Sequence, residues 1–296
     1  MSAMKPILAA TDLSWYSGRA AARAAMLARE LGAAELEVLH VIGSLALESL
    51  RYLLSQPPEL TERRLIDSAT EQLARMAGEL GGEHRIPVTP VIEIGHAHEE
   101  IVRRAEAINA GLVVLGSHGG SFVRELFLGS TAEKALRKLS RPALLVKREP
   151  RGSYRNVLAP TDFSEASGAA LKMARRIAPR ADITVLHAFE VPFEGKLRFA
   201  GISDETLHAY RATAREQASQ AMRRFIAEAG GDGRLTHTLE FGYAPSVIRE
   251  YAETIEPDLI AMGKHGQSEW EETLFGSVTK HVIREAGCDV LVVAAG

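Results

Sequence analysis

The chain has 296 residues, of which 46% are hydrophobic and 25% are charged, and its formal net charge is −3 at pH 7. This near-neutral balance argues against a dedicated nucleic-acid-binding protein, which normally carries a basic patch. No apolar stretch approaches the roughly 20 residues that span a bilayer, and the first six residues contain no signal-peptide core. A single cysteine, Cys288, excludes an intrachain disulfide. We therefore expect a cytoplasmic protein that binds neither nucleic acid nor membrane.

Short apolar runs alternate with amphipathic helical stretches along the whole chain. In the first half they predict strand 7–10, helix 14–31, strand 36–41, helix 59–80, strand 88–94, helix 99–108, strand 112–115, helix 130–139 and strand 143–146. In the second half they predict strand 157–159, helix 164–177, strand 183–186, helix 204–229, strand 235–241, helix 245–255, strand 259–262, helix 277–286 and strand 290–293. Such alternation favours an α/β fold, with a mainly parallel sheet covered by helices on both faces.

Nearly the whole sequence occurs twice. Residues 7–14 (ILAATDLS) match residues 157–164 (VLAPTDFS), and the match continues to the last predicted strand after a three-residue deletion. A repeat of about 150 residues has the usual size of one globular domain and is too long for a solenoid, whose units have roughly 20–50 residues. We predict two similar domains in tandem, residues 1–149 and 150–296.

Each half contains a glycine-rich segment of the same spacing: G-x-x-G, nine residues, then Gly-Ser. The two copies, at 116–130 and 263–277, each lie between a predicted strand and a predicted helix. The first amides of a helix lack intrahelical partners, and the helix dipole favours an anion there. Glycines also let the backbone approach a phosphate. One copy would equally fit an N-cap serine after a flexible turn, but two matched copies favour phosphate binding.

A Thr-Asp pair ends the first predicted strand of each half, with Asp12 in one and Asp162 in the other. A carboxylate at this place can accept hydrogen bonds from ribose hydroxyls or an adenine amino group. The alternative is an Asx turn ahead of Ser14 and Ser164. In open parallel sheets, ligands bind beyond the carboxyl ends of the strands, where the strand order reverses. The aspartates and the glycine segments should therefore converge, provided that the first and fourth strands of each half are neighbours.

Four histidines occupy equivalent places in the two halves. His118 and His265 lie within the glycine segments, where an imidazole can donate to a phosphate or simply cap the loop, and both interpretations stay open. His40 and His187 end the second predicted strands, and we expect them to satisfy buried polar neighbours.

Metal-binding and catalytic signatures are sparse. His96 and His98 have the spacing of a metal-binding pair, but Tyr243 and Pro245 stand at these positions in the second half, so we predict no metal site. The chain has no Walker A run, no G-x-S-x-G elbow and no H-E-x-x-H motif, and G-x-G-x-x-G is missing after the first strand. These absences argue against a dehydrogenase and against a Walker-type NTPase. We assign no catalytic residue.

Taken together, these motifs resemble the universal stress protein family, specifically its ATP-binding branch. The likeness rests first on two motifs in each half: [P/A]-T-D-x-S near its start and G-x2-G-x9-G-[S/T] towards its end. Segments 126–130 and 273–277, which end in Gly-Ser, and segment 143–147, which contains the last strand of the first half, also resemble that family. It implies two tandem Rossmann-like domains of the adenine nucleotide alpha hydrolase-like type, each a five-stranded parallel sheet of order 3-2-1-4-5. It also implies that the two domains pair within one chain, while association into a homodimer stays open.

The resemblance further implies ATP as the ligand, usually with a divalent cation such as Mg2+. It assigns adenine and ribose to the strand-end residues Ala10, Thr11, Asp12, Val41, Pro160, Thr161, Asp162 and Ala188. It assigns the phosphates to the glycine segments, at Gly116, His118, Gly119, Gly129, Ser130, Thr131, Gly263, His265, Gly266, Gly276, Ser277 and Val278. The expected role is regulatory, in stress response and survival, with at most weak ATP hydrolysis. The alternatives are a slow ATPase or another nucleotide-using enzyme on the same fold, and a protein-interaction module with empty sites.

The two glycine segments differ in charge. The first contains Arg124 and Glu125, whereas the second contains three glutamates and a lysine, Glu269, Glu271, Glu272 and Lys264. A carboxylate close to a triphosphate in water costs on the order of 1 kcal/mol. On charge alone, we predict tighter nucleotide binding in the first half.

Overall fold

The computed structural model of the chain describes residues 5–33, 35–44, 58–117, 128–230, 233–266 and 275–295. The chain forms two compact units that divide after Ser153, with the short stretch Gly287–Val290 grouped with the first. We call them unit one and unit two. The domain boundary that the repeat predicts, between residues 149 and 150, stays a prediction.

Unit one is a five-stranded sheet with helices in the connections. Its elements are β1 (Ile7–Thr11), α1 (Trp15–Leu31), β2 (Leu36–Gly43), α2 (Pro58–His84), β3 (Val88–Gly95), α3 (Ala97–Ala107), β4 (Leu112–Gly116), α4 (Ser130–Lys138) and β5 (Ala143–Val146). The strands are parallel and follow the order β3-β2-β1-β4-β5. This is the 3-2-1-4-5 order that the family resemblance implies.

Unit two repeats this arrangement. Its elements are β6 (Asn156–Pro160), α5 (Glu165–Ile177), β7 (Asp182–Phe189), α6 (Glu194–Phe199), α7 (Asp204–Glu228), β8 (Leu235–Phe241), α8 (Ala244–Ile255), β9 (Leu259–Gly263), α9 (Ser277–Glu285) and β10 (Asp289–Val293). The order is β8-β7-β6-β9-β10, and β6 is parallel to both β7 and β9. The predicted α/β fold is confirmed. The six-residue helix α6 has no counterpart in the sequence prediction.

The central strands form the core of each unit. In β1, Ile7, Leu8 and Ala9 are all fully buried, because helices cover both faces of the sheet. Helix α1 lies close to this sheet since its buried side chains are mostly small, at Ala20, Ala21, Ala24, Ala25 and Ala28. Close packing of this kind holds the strand ends in fixed positions. None of the helices in the described stretches combines the length and apolar character that crossing a bilayer requires.

Candidate functional site

The strand order reverses beside β1 and beside β6. Ile7 of β1 pairs with Leu36 of β2 on one side and with Leu112 of β4 on the other. In unit two, β6 lies in the same way between β7 and β9. The first and fourth strands of each unit are therefore neighbours, as the convergence of the Thr-Asp pairs and glycine segments required. A ligand crevice is expected beyond the carboxyl ends of such strands.

The Thr-Asp pair forms the same turn in both units. In unit two, the Phe163 amide donates to Thr161 Oγ1 at 2.9 Å, and the Ser164 amide donates to Asp162 Oδ1 at 3.0 Å. Unit one has the equivalent bonds, at 3.0 Å and 3.1 Å. Phe163 takes a left-handed φ of 64°, which these side-chain bonds stabilise. The Asx turn considered from the sequence is thus present, and it fixes the direction of each aspartate.

Buried hydroxyl groups tie this turn to the following helix. Thr161 Oγ1 lies 2.9 Å from Ser167 Oγ, and Ser167 Oγ donates to the Ser164 carbonyl at 2.8 Å. Ser164 in turn caps α5 by accepting from the Ser167 amide at 3.2 Å. Unit one contains the same set, built on Thr11. Since all these groups bond to one another, the end of the first strand is held in place by hydrogen bonds within the unit.

The histidines of the second strands bond to the same turn. His40 Nδ1 lies 2.9 Å from the Thr11 carbonyl, and His187 Nδ1 lies 2.8 Å from the Thr161 carbonyl. A carbonyl oxygen only accepts, so each Nδ1 carries the proton. Burial lowers the pKa of His187, against the opposing effects of the Thr161 bond and the Asp162 carboxylate. Both rings satisfy a buried polar neighbour, as expected from the sequence.

The last glycine of each segment is the N-cap of a nine-residue helix. Gly129 precedes α4 and Gly276 precedes α9, and neither helix has a side-chain cap. The amide of Gly129 donates to the Ser117 carbonyl at 2.9 Å, and that of Gly276 to the Lys264 carbonyl at 3.1 Å. These bonds hold the first turns of α4 and α9 close to the ends of β4 and β9. The amides of the first turn lack intrahelical partners, so they and the helix dipole are suited to hold an anion.

Two glycines of unit two are required for different steric reasons. A Cβ on Gly263 would lie 2.9 Å from Ala166 Cβ and 3.0 Å from the Ser167 nitrogen, so this glycine lets α5 approach β9. A Cβ on Gly266 would lie 2.8 Å from Asp162 Oδ2, so this glycine lets the loop contact the carboxylate. One glycine of the motif therefore allows a helix to pack and the other allows the loop to approach a side chain. The spacing of the motif alone did not indicate these two roles.

These elements enclose a cavity in each unit. The cavity of unit two has a volume of about 400 Å3, within the roughly 300–1,000 Å3 of small-molecule sites. Its lining includes all ten residues assigned in that half, Pro160, Thr161, Asp162, Ala188, Gly263, His265, Gly266, Gly276, Ser277 and Val278. The cavity of unit one, of about 200 Å3, is lined by eight of its ten, Ala10, Thr11, Asp12, Val41, Gly116, Gly129, Ser130 and Thr131. The other two, His118 and Gly119, lie outside the described residues.

The cavities also contain residues that the motifs did not reveal. Ala97 and Ile101 of α3 line the first cavity, and Ala244 and Ile248 of α8 line the second. These pairs occupy matching positions in the repeat, so comparing the two halves could have identified them. Their small and apolar side chains give each cavity a wall suited to the flat face of a base.

The charged groups of the glycine segments are only partly described. Lys264 is buried, and this burial lowers its pKa; Ser117 is its counterpart in unit one. The remaining charged residues of the two segments, Arg124, Glu125, Glu269, Glu271 and Glu272, lie outside the described residues. In the described ranges, no group of three or more His, Cys, Asp or Glu side chains is arranged to hold a metal ion.

The comparison with known proteins decides the family. The model of the universal stress protein family matches residues 4–147 and again residues 153–294. The chain belongs to the universal stress protein family. Its two matches show tandem domains of this family in one chain.

Individual relatives agree with this assignment. Universal stress protein MJ0577 of Methanocaldococcus jannaschii is 30% identical over 162 residues, covering 50% of this chain and 99% of the relative. Universal stress protein MJ0531 of the same organism is 34% identical over 143 residues, covering 47% and 82%. A crystal structure of a universal stress protein from Archaeoglobus fulgidus covers 98% of both chains, with a TM-score of 0.70 and 22% identity. At that identity the last likeness shows the fold alone.

Proposed function

We propose that the chain is an ATP-binding regulatory protein of the stress response, with a nucleotide site in each unit and little or no turnover. One observation carries the proposal. In each unit, a helix start without a side-chain cap faces a cavity that also contains the Thr-Asp turn. This arrangement places anion-binding amides and a hydrogen-bond acceptor around one crevice, which fits a nucleotide.

The phosphates would lie at the glycine segments. The first-turn amides of α4 and α9 would donate to them, with Ser130 and Ser277 adding a hydroxyl each. The helix dipole would contribute about 0.3–2 kcal/mol. In unit two, His265 also lines the cavity, and it would donate to a phosphate oxygen.

The nucleoside would lie at the strand ends. Asp12 and Asp162 would accept from ribose hydroxyls or from the adenine amino group, while Val41 and Ala188 would contact the base. Asp162 is well placed for this, because its Oδ1 is fixed by the Ser164 amide. A divalent cation such as Mg2+ would arrive with the nucleotide, since Mg2+ is usually held by phosphates and waters with few protein ligands.

Slow turnover is part of this proposal because the family resemblance implies at most weak ATP hydrolysis. We therefore propose that ATP serves as a signal rather than as a substrate. A cytoplasmic location and pairing of the two domains within the chain belong to the same proposal and rest on the family resemblance.

Two measurements on the purified full-length chain test the proposal. Mass spectrometry of ligand released by denaturation should detect ATP or another adenine nucleotide carried through purification, or bound after incubation with ATP and Mg2+. A turnover assay should then show product close to background. Rapid product formation would favour the slow ATPase or another nucleotide-using enzyme. Absence of any bound nucleotide at millimolar ATP would favour a protein-interaction module.

A further inference from the structure

Strand β8 ends the sheet of unit two and has a neighbouring strand on one side. Within the described ranges it pairs with β7 alone, and none of its seven residues is buried. The outer edge of such a strand presents backbone N–H and C=O groups that can pair with a further strand. We infer that this edge binds the same edge of a second copy of the chain, in antiparallel orientation, so that β8 joins two chains into a homodimer. This pairing does not depend on nucleotide binding.

The hydrogen bonds to β7 establish which backbone groups of β8 face the open edge. The Arg234 carbonyl accepts from the Ile183 amide at 2.9 Å, and the Gly242 amide donates to the Phe189 carbonyl at 3.0 Å. Because successive residues of a strand direct their backbone groups to opposite sides, the even-numbered residues from 234 to 242 face β7. The backbone groups that point outwards therefore belong to Leu235, His237, Leu239 and Phe241.

The equivalent edge in unit one is interrupted by a proline. β3 ends the sheet of that unit in the same way, and Pro90 stands at the position that His237 occupies in β8. The Pro87 carbonyl accepts from the Leu36 amide, so Pro87 faces β2 and Pro90 faces outwards by the same alternation. A proline at this place removes one outward N–H, which is a known way to block an edge strand. β8 contains no proline and keeps its complete row of outward donors.

The side chains of β8 are complementary to themselves when two copies run antiparallel with Thr238 at the centre. This register places Leu235 opposite Phe241 of the second copy, and such apolar cross-strand pairs stabilise a sheet. Every residue of the strand then has a partner, and the residues with outward backbone groups pair with one another. A register centred on His237 would instead place two imidazoles opposite each other and leave Phe241 beyond the paired segment.

Charge favours the same register. Apart from His237, the charged residues between positions 234 and 242 are Arg234 and Glu240, and both are exposed. In the register centred on Thr238, Arg234 lies diagonally across from Glu240 of the second copy. Diagonal neighbours are roughly 7–8 Å apart, which long side chains can span. Since a two-fold interface repeats each contact, this pair of opposite charges forms twice.

Sedimentation of the full-length chain over a range of concentrations tests the inference. The wild-type chain should move from a mass of 32.1 kDa towards twice that value as its concentration rises. His237→Pro copies the proline of β3 and should weaken association at least about tenfold in Kd, because it removes an outward amide from both copies. That amide does not bond to β7, so circular dichroism should show that the fold is kept. His237→Ala retains the amide and should associate like the wild-type chain.

Two outcomes of this experiment would overturn the inference. One is a wild-type chain that stays monomeric up to about 1 mM. The other is a folded His237→Pro variant that dimerises as strongly as the wild-type chain, because the interface would then lie elsewhere.

Cysteine cross-linking tests the register while leaving every backbone amide in place. Thr238→Cys would face its own counterpart in the second copy, where directly opposite Cβ atoms come close enough for a disulfide. Thr236→Cys is the matched control, because it would lie four positions, or roughly 13 Å, from its counterpart. Under mild oxidation, Thr238→Cys should form a covalent dimer. Thr236→Cys should not, nor should the wild-type chain, whose one cysteine, Cys288, is buried. Equal cross-linking of the two variants, or none with Thr238→Cys, would overturn the proposed pairing.

Discussion

The carboxylate of Asp162 lies directly against Gly266, so closely that a Cβ on the glycine would stand 2.8 Å from Oδ2. The two residues are 104 positions apart in the sequence and follow different strands. Their contact joins the turn after β6 to the glycine segment after β9. The part of the site assigned to the nucleoside and the part assigned to the phosphates therefore meet at one side chain.

Alanine substitutions at the first two glycines of the second glycine segment should have different effects on ATP binding and on the free energy of unfolding. Gly266→Ala requires only the end of the Asp162 side chain to move, so it should weaken ATP binding about tenfold or more with little change in the free energy of unfolding. Gly263→Ala meets the backbone of α5, and overpacking of this kind typically costs about 1–3 kcal/mol. Urea unfolding and ATP titration of both variants provide the check.

Asp162→Asn is a useful control for that experiment, because the amide keeps the volume of the carboxylate and removes its charge. It should lower affinity without lowering stability appreciably. If Gly266→Ala binds ATP as tightly as the wild-type chain, the close contact has no role in placing Asp162.

Much of this architecture could be predicted from the sequence, because the repeat shows the pattern of each element twice. The strand and helix pattern followed from local patterns. The convergence of the Thr-Asp pairs and the glycine segments depended on the first and fourth strands being neighbours, which only the family resemblance implied. Helix α6 was missed because six residues are too few for a helical period to stand out. Its contacts with α7 include a paired Glu194 and Arg211, which no local pattern indicates.

The sequence alone did not show the steric reason for which each glycine is required. Gly263 and Gly266 look alike in the motif, yet one accommodates a helix and the other a side chain. The order of affinity that charge predicts, with tighter binding in the first half, stays a prediction.

The buried hydroxyl of Thr161 should contribute to stability. Thr161→Val removes the partner of the Phe163 amide and of Ser167 Oγ while keeping the shape of the side chain. Loss of a buried partner costs about 1–3 kcal/mol, so the urea midpoint should fall. Thr161→Ser keeps the hydroxyl and should remain close to the wild-type value. Equal stability of the valine and serine variants would show that these bonds contribute nothing.

His187 should make stability depend on pH below neutrality. Burial lowers its pKa in the folded chain, whereas an unfolded histidine titrates near about 6.5. The unfolded chain therefore binds more protons as the pH falls below that value, and the free energy of unfolding decreases through the folded pKa. His187→Asn can still donate to the Thr161 carbonyl and does not titrate. Its stability should fall less than that of the wild-type chain between pH 7.5 and pH 5.

Urea midpoints of both proteins at the two pH values measure this difference, because the other titrating groups are common to both. The Asp162 carboxylate, which faces His187, opposes the effect of burial. Asp162→Asn should therefore increase the pH dependence. The explanation fails if His187→Asn loses as much stability as the wild-type chain.

The most direct test of the account is an ATP titration of the double variant Gly129→Asp/Gly276→Asp beside the wild-type chain. The φ values of −59° and −55° at these N-caps suit any residue, and aspartate is a favourable N-cap, so the fold should be kept or slightly stabilised. We predict that ATP binding falls at least tenfold in the double variant, because a carboxylate then occupies each helix start. A folded double variant that binds ATP as tightly as the wild-type chain would contradict the central claim that the uncapped helix starts hold the phosphates.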